Sequence, residues 1–303
     1  MSIKHEDSNV VLQNNFVTET KTETVNNKKK NRLLAIESFA VLASIILFGI
    51  PFYFVIINSM KSGKEAAEMN LAWPSAFHMI ENYKEVLTVS NGVVLRAFFN
   101  STLITISSIT ILILVCSMAA FVLQRREGKK FQKKANYLIL MGLMIPPAIV
   151  PTIWVMQTIG LFKTLPGIVL LESALHFSFA CMLYKAFMAS IPRELDEAAL
   201  MDGCSSFRFY FQIILPLLKP VTSTIIVLSS IQIYNDFENM LYFFPGAENA
   251  TVQLTLYNFM GMFGTSWHLL FADVLLISIP PLILFIFFNK KIVAGMTAGA
   301  VKG

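Results

Sequence analysis

Six stretches of about twenty mostly apolar residues constrain this chain more than any other feature, because a helix rising about 1.5 Å per residue needs that length to cross a hydrocarbon core about 30 Å thick. They fall at about 38–58, 98–122, 137–158, 167–188, 220–242 and 269–289 of 303 residues. Composition agrees: 55% of residues are hydrophobic, 14% are charged and the mean hydropathy is +0.62. A soluble domain carries about 25% charged residues, so the usual soluble enzyme folds are excluded and the expected class is an all-α integral membrane protein. Residues 1–31, rich in Asn, Thr, Lys and Glu without an apolar period, are expected to form a disordered tail. Residues 32–303 are expected to form the transmembrane domain. The basic cluster Lys28, Lys29, Lys30 and Arg32 opens like a signal peptide. The apolar stretch after it is too long for one and no small-residue cleavage site follows, so it reads as a retained helix.

Net charge is +5 with a pI near 9.0, but in a membrane chain such charge encodes orientation before it encodes a partner. The tail to Arg32, the 124–134 loop, the 185–219 loop and the C-terminal end hold 6, 6, 4 and 3 Lys/Arg, leaving 5 of 24 for the intervening loops. Both termini are therefore expected in the cytoplasm and nucleic acid is not an expected partner. Trp73, Trp154 and Trp267 then fall at or near the outer surface, as amphipathic rings do at a lipid headgroup layer. Pro146, Pro147 and Pro151 in the third segment, and Pro280 and Pro281 in the sixth, predict kinks. Cys116, Cys181 and Cys204 have neither disulfide nor metal spacing.

The loop from Ile191 to Pro216 reads as two short helices joined by a turn. Pro192 suits a first turn, Glu194, Asp196 and Glu197 place negative charge at the positive end of the dipole, and Gly203 can take the left-handed conformation that ends a helix near Asp202. Ser205 or Ser206 then caps a second helix, whose apolar face is expected to carry Phe207, Phe211 and Ile214. On the first helix Leu195, Ala198 and Ala199 share a side that admits close approach of a partner's groove. An ordinary amphipathic connector on the membrane surface has the same composition.

Glu197, Ala198, Ala199, Gly203, Ile213, Leu215 and Pro216 match every position of the EAA loop of ABC importer membrane subunits: Glu-Ala-Ala, three residues, Gly, nine residues, Ile, any residue, Leu-Pro. Glu65-Ala66-Ala67 is a look-alike with Leu71 where Gly is required. The chain resembles the carbohydrate-importing branch of that family, typified by the smaller membrane subunit of the maltose transporter. Asn100-Ser101, Met144 to Pro147, Asn235-Asp236-Phe237 and the Thr297–Gly303 ending carry the likeness, with Tyr234 standing where many relatives have Trp. The resemblance implies a type I ABC importer permease fold of six transmembrane helices with cytoplasmic EAA coupling helices. It further implies a second, similar membrane subunit, cytoplasmic ATP-binding subunits that use the ATP and Mg, an extracellular solute-binding protein and a sugar or oligosaccharide as cargo. The EAA helix would seat in the ATPase cleft, with Glu197 and Gly203 central to coupling. Gly295 to Gly303 would be a second contact with the motor, and the outer loop 243–268 would reach toward the binding protein.

The residues themselves point to no chemistry. No phosphate-binding Gly-rich loop, HExxH or GxSxG pattern occurs, so the chain is read as non-catalytic, with no cofactor of its own. Glu172, Asp236, Glu238 and Asp273 lie within apolar segments, where an ionised group costs about 2.5–3.5 kcal/mol near the helix centre. Tyr234, Asn235, Asp236, Phe237 and Asp273 are the candidate substrate pathway, because amides and carboxylates beside aromatic rings recognise hydroxyl-rich solutes; hydrogen bonds to neighbouring helices are the structural alternative. A non-sugar cargo, an ion-coupled carrier working through those acids, and a scaffold recruiting a partner through the 191–216 loop are the rival readings. Location in the plasma membrane, surrounded by lipid, is common to all of them.

Overall fold

The computed structural model describes residues 33–34, 36–125, 128, 130–246, 248–261 and 264–300, with the backbone alone for 289–300. The expected disordered tail, and residues 301–303 of the C-terminal ending, lie outside the described residues. The chain divides into two compact units, one of residues up to Ile57 with Asn70–Trp73, the other of Asn58–Met69 with everything from Pro74 onward.

The first unit contains most of α1, Ile36–Ser59, a helix with the length and hydropathy to cross a membrane. A π-turn at Ile45–Gly49 interrupts it, directly after Ser44, which donates its hydroxyl to the Ala40 carbonyl at 2.8 Å.

In the second unit, α2 is Gly63–Ala67, started by Ser62, whose hydroxyl accepts from the Glu65 amide. This is the Glu-Ala-Ala look-alike, and its glutamate works locally: its carboxylate accepts from the Ser75 amide at 3.2 Å. Hydrogen bonds from Ser75 hold that carboxyl below the usual carboxylate range. A long helical stretch, Met79–Arg125, is divided at Val89–Gly92, where Ser90, Asn91 and Gly92 take positive φ. It is therefore two helices, α3 (79–88) and α4 (93–125), so a helix occupies part of what reads in the sequence as outer loop. The segment expected at 98–122 begins five residues earlier and ends three later.

The third segment is α5, Lys130–Met144, and α6, Ile149–Thr158, bent by 119°. Pro146 and Pro147 lie in the break, since neither has an amide to donate and each pushes the preceding residue out of helical conformation. Pro151 falls in the first turn of α6, where no donor is missed. Gly142 lets α5 approach α7, Leu165–Met188, because a Cβ there would collide with the Ser178 hydroxyl. Thr164 caps α7 by accepting from the Gly167 amide at 3.1 Å.

Next come α8, Glu194–Met201, and α9, Ser206–Leu217, which turns through 70° into α10, Lys219–Tyr234. The fifth segment thus ends at Tyr234 rather than near 242, and α11, Glu238–Phe243, is separate. Then α12, Val252–Thr255, a 3-10 turn and a two-residue hairpin of β1, Met260–Gly261, and β2, Gly264–Thr265, lead to α13, Trp267–Ala300. The last helix continues past Pro280 and Pro281 without a break.

Among the described residues, four helices are long and apolar enough to cross a membrane, and six spans result if each bent pair is counted as one. One buried cluster joins α4, α7, α9 and α10 around Ile104, Leu112, Cys116, Cys181, Tyr184 and Ile214; a second gathers Val86, Val94, Ala97, Val252, Phe259 and Ala272 where α3, α4 and α13 meet the 250–259 stretch.

Candidate functional site

Two regions at opposite ends of α4 gather the sequence-singled residues. The first is the 191–216 loop. Its α8 begins at Glu194, with Glu194, Asp196 and Glu197 in the first turn, where carboxylates meet the positive end of the dipole. It closes with two bonds, from the Gly203 amide to the Leu200 carbonyl at 3.1 Å and from the Cys204 amide to the Ala199 carbonyl at 2.9 Å. This Schellman arrangement needs a left-handed residue at its pivot, and Gly203 has φ +67°. Ser205, rather than Ser206, then caps α9 by accepting from the Arg208 amide at 3.4 Å.

The two alanines of the motif do not share a side. Ala199 is buried against the core, while Glu197 and Ala198 face outward together with Leu200 and Met201, the latter 86% exposed. Of the apolar face expected of the second helix, Ile214 is buried and Phe211 packs on the core. Phe207 departs from it, being 73% exposed while Phe209 and Tyr210 are buried, because Tyr210–Ile214 winds as a π-turn and shifts the register of the residues before it. Ile213, Leu215 and Pro216 form the passage from that turn toward α10, with Ile213 and Leu215 packed on the core.

What fixes this loop is a residue that charge counting had used only for topology. Arg125, at the end of α4, pairs through Nε with Asp196 Oδ2 at 2.7 Å and donates from its other nitrogens to the carbonyls of Ile191 at 3.3 Å and Pro192 at 3.5 Å. In return Arg193 donates to the Gln124 carbonyl at 3.3 Å. Burial pushes the Asp196 carboxyl up and the Arg125 charge opposes that shift. Two turns along α4, Ser117 and the Tyr210 hydroxyl lie 2.5 Å apart.

The second region surrounds residues 234–273. Tyr234 is buried, and its hydroxyl has no hydrogen-bond partner among the described residues. Asn235 and Asp236 lie beyond the end of α10, not within it. Asp236 accepts from the Asn239 amide at 2.9 Å and from its side-chain amide at 2.5 Å; a short carboxylate that bonds local backbone competes with continuation of a helix and starts the next one. Asn235 is exposed, and its carbonyl oxygen accepts from Gln253 at 2.9 Å. Phe237 stacks on Tyr257 with ring centroids 5.5 Å apart. Asp273 is fully buried and separate from this group, accepting from the Thr255 hydroxyl at 2.7 Å.

Glu238 starts α11. Glu172 is fully buried on α7, 3.6 Å from His176, with Asp236 and Asn239 nearby. The 248–252 stretch is fastened to α4: Asn100 donates to the carbonyls of Glu248 and Ala250 at 3.2 and 3.0 Å, and the Ser101 hydroxyl accepts from the Val252 amide at 3.0 Å. Gln253 and Thr255, which hold Asn235 and Asp273, carry no sequence signal of their own. Their partners lie 18 positions away, beyond any local pattern.

Residues 112–298 match the family model described as binding-protein-dependent transport system inner membrane component. The chain is 31% identical over 279 residues to the melibiose/raffinose/stachyose import permease protein MelC of Bacillus subtilis (strain 168), a match covering 90% of this chain and 99% of that one. It is 33% identical over 267 residues to the probable starch degradation products transport system permease protein AmyC of Thermoanaerobacterium thermosulfurigenes, covering 88% and 96%. Among solved structures, a chain of a bacterial ABC transporter involved in the import of the acidic polysaccharide alginate superposes with a TM-score of 0.74 at 19% identity, over 86% of this chain and 97% of that one. The fold is therefore that of a type I ABC importer permease.

Proposed function

This chain belongs to the binding-protein-dependent transport system inner membrane components, transport subunits rather than enzymes, and from that premise we propose that it carries a sugar or oligosaccharide into the cell. In this reading it pairs with a second, similar membrane subunit to enclose the pathway. Two cytoplasmic ATPase subunits bind the ATP and Mg, an extracellular solute-binding protein delivers the cargo, and both termini of this chain face the cytoplasm.

The observation that carries the reading is the form of α8. A short helix with Glu197, Ala198, Leu200 and Met201 turned outward, ended by the Gly203 pivot, is a projection suited to a cleft in another protein. Glu197, Ala198, Ala199, Gly203, Ile213, Leu215 and Pro216 make up the coupling segment, with Glu197 and Ala198, both exposed on α8, meeting the ATPase. At the other end, Asn235 with Gln253 and the Phe237–Tyr257 stack offer amides beside aromatic faces, a chemistry suited to sugar hydroxyls and ring faces. Tyr234, Asp236 and Asp273 support that surface. Its relatives named for melibiose, raffinose, stachyose and starch products favour a sugar over other cargo. ATP-driven closure and binding-protein docking then shift one rigid-body equilibrium.

The test is to purify the tagged complex gently and assay hydrolysis with and without the binding protein and candidate sugars. An ATPase and a second permease that co-purify, with hydrolysis stimulated by the sugar-loaded binding protein, are expected. A lone chain that moves solute down an ion gradient would overturn the reading.

A further inference from the structure

The two candidate regions are held by the same helix. From Asn100 to Arg125, α4 is unbroken, about 37 Å long at 1.5 Å per residue. At one end Arg125 binds α8 through the Asp196 carboxylate and two loop carbonyls, and Ser117 meets Tyr210 of α9. At the other, Asn100 and Ser101 hold three backbone groups of the 248–252 stretch. None of these bonds is local: partners stand 66 to 151 positions apart.

We propose that α4 is the member that locks the outer 243–268 segment to the coupling helix, with Arg125, Asp196, Asn100 and Ser101 as positioning residues for coupled transport. This rests on the coupling reading above and deepens it by naming what joins the two ends. The physical ground is stiffness. A displacement of α8 reaches α4 through the Arg125–Asp196 ion pair and through the charge-assisted hydrogen bonds of Arg125 to the Ile191 and Pro192 carbonyls that lead into α8, and a helix without a kink transmits axial and rotational movement over this length. The 248–252 stretch follows because its own backbone, not a rotatable side chain, accepts and donates the bonds. Docking of the binding protein on that stretch and docking of the ATPase on α8 then bias the same rigid body, which gives reciprocal coupling.

The experiment uses the whole complex in lipid. Spin labels are placed at Asp202→Cys, beside the Gly203 pivot, and Glu248→Cys, both exposed, with half-buried Cys204 replaced by Ser and buried Cys116 and Cys181 retained. The interlabel distance is measured without nucleotide and with ATP, Mg and orthovanadate. It is expected to stay constant within about 2 Å while the complex interconverts, because both labels ride on one body.

In a chain carrying Arg125→Met and Asn100→Ala, the distance distribution should broaden, and the ratio of binding-protein-stimulated to unstimulated hydrolysis should fall at least about five-fold, the lower range of such couplings. The charge exchange R125D/D196R should recover stimulation where R125D alone does not, a readout that loss of packing would not give. Asp196→Asn, nearly isosteric, serves if Arg125→Met fails to assemble. A state-dependent distance change in the intact chain, or full stimulation in both Arg125→Met/Asn100→Ala and Asp196→Asn, would overturn the proposal while leaving the importer reading in place. A complex without any ATPase would overturn both.

Discussion

Gly203 shows how one backbone angle can be separated from contacts. With φ at +67° and nothing within 4 Å of where a Cβ would stand, Gly203→Ala carries only the left-handed penalty, about 1–2 kcal/mol. The expected outcome is a modest drop in thermal stability with a much larger loss of uptake per ATP hydrolysed, measured in proteoliposomes. Glu197 is exposed, so Glu197→Ala should leave the melting temperature of the complex within experimental scatter and still reduce uptake per ATP; equal loss of stability would remove it from the docking surface. Asp273 behaves oppositely. Thr255→Val deletes the hydroxyl that donates to that fully buried carboxylate and should cost about 1–3 kcal/mol, read as a lowered melting temperature. Asp273→Asn should restore part of that loss in the Thr255→Val background.

Elements were legible where their instructions are local. The stop of α8 follows from Gly203, and the break between α5 and α6 from Pro146 and Pro147, since both act on their own backbone. The end of α10 at Tyr234 was hidden because apolar residues continue past it in α11, and the carboxylate that begins the new helix, Asp236, reads equally well as a pathway acid. The two roles separate by substitution. Asp236→Ser keeps a capping oxygen whereas Asp236→Ala costs about 1 kcal/mol of cap, so parallel losses of stability and uptake across the pair identify a cap, and loss of uptake in both identifies a substrate contact. The π-turn at Tyr210–Ile214 moved the buried face from Phe207 to Phe209 and Tyr210, which a fixed 3.6-residue period cannot foresee. The grip of Arg125 on Asp196, 71 positions away, has no sequence signal beyond a charge at a helix end.

At the scale of the whole molecule, the membrane helices are covered unequally. Half of the most apolar window of Leu165–Met188 is buried within the chain, against 22% for that of Trp267–Phe288, so the 267–288 part of α13 leaves more of its side chains to be covered from outside this subunit than α7 does. Lipid can cover such a surface, but the second permease proposed above would do so with complementary packing. The chain produced with that proposed partner should therefore melt higher than the chain alone in the same detergent, as followed by loss of the monodisperse peak after heating. The grips on α4 carry one more consequence, concerning length. Each added residue turns one end of a helix by about 100° against the other and lengthens it by about 1.5 Å. An insertion between Ser101 and Ser117 would thus swing Arg125 away from Asp196 while Asn100 stayed in place. Tails and loops can absorb changes in chain length freely; the stretch between the grips is set in both helical phase and length, so even seven added residues, which restore the phase over about two turns, would leave Arg125 about 10 Å too far along the axis to meet Asp196.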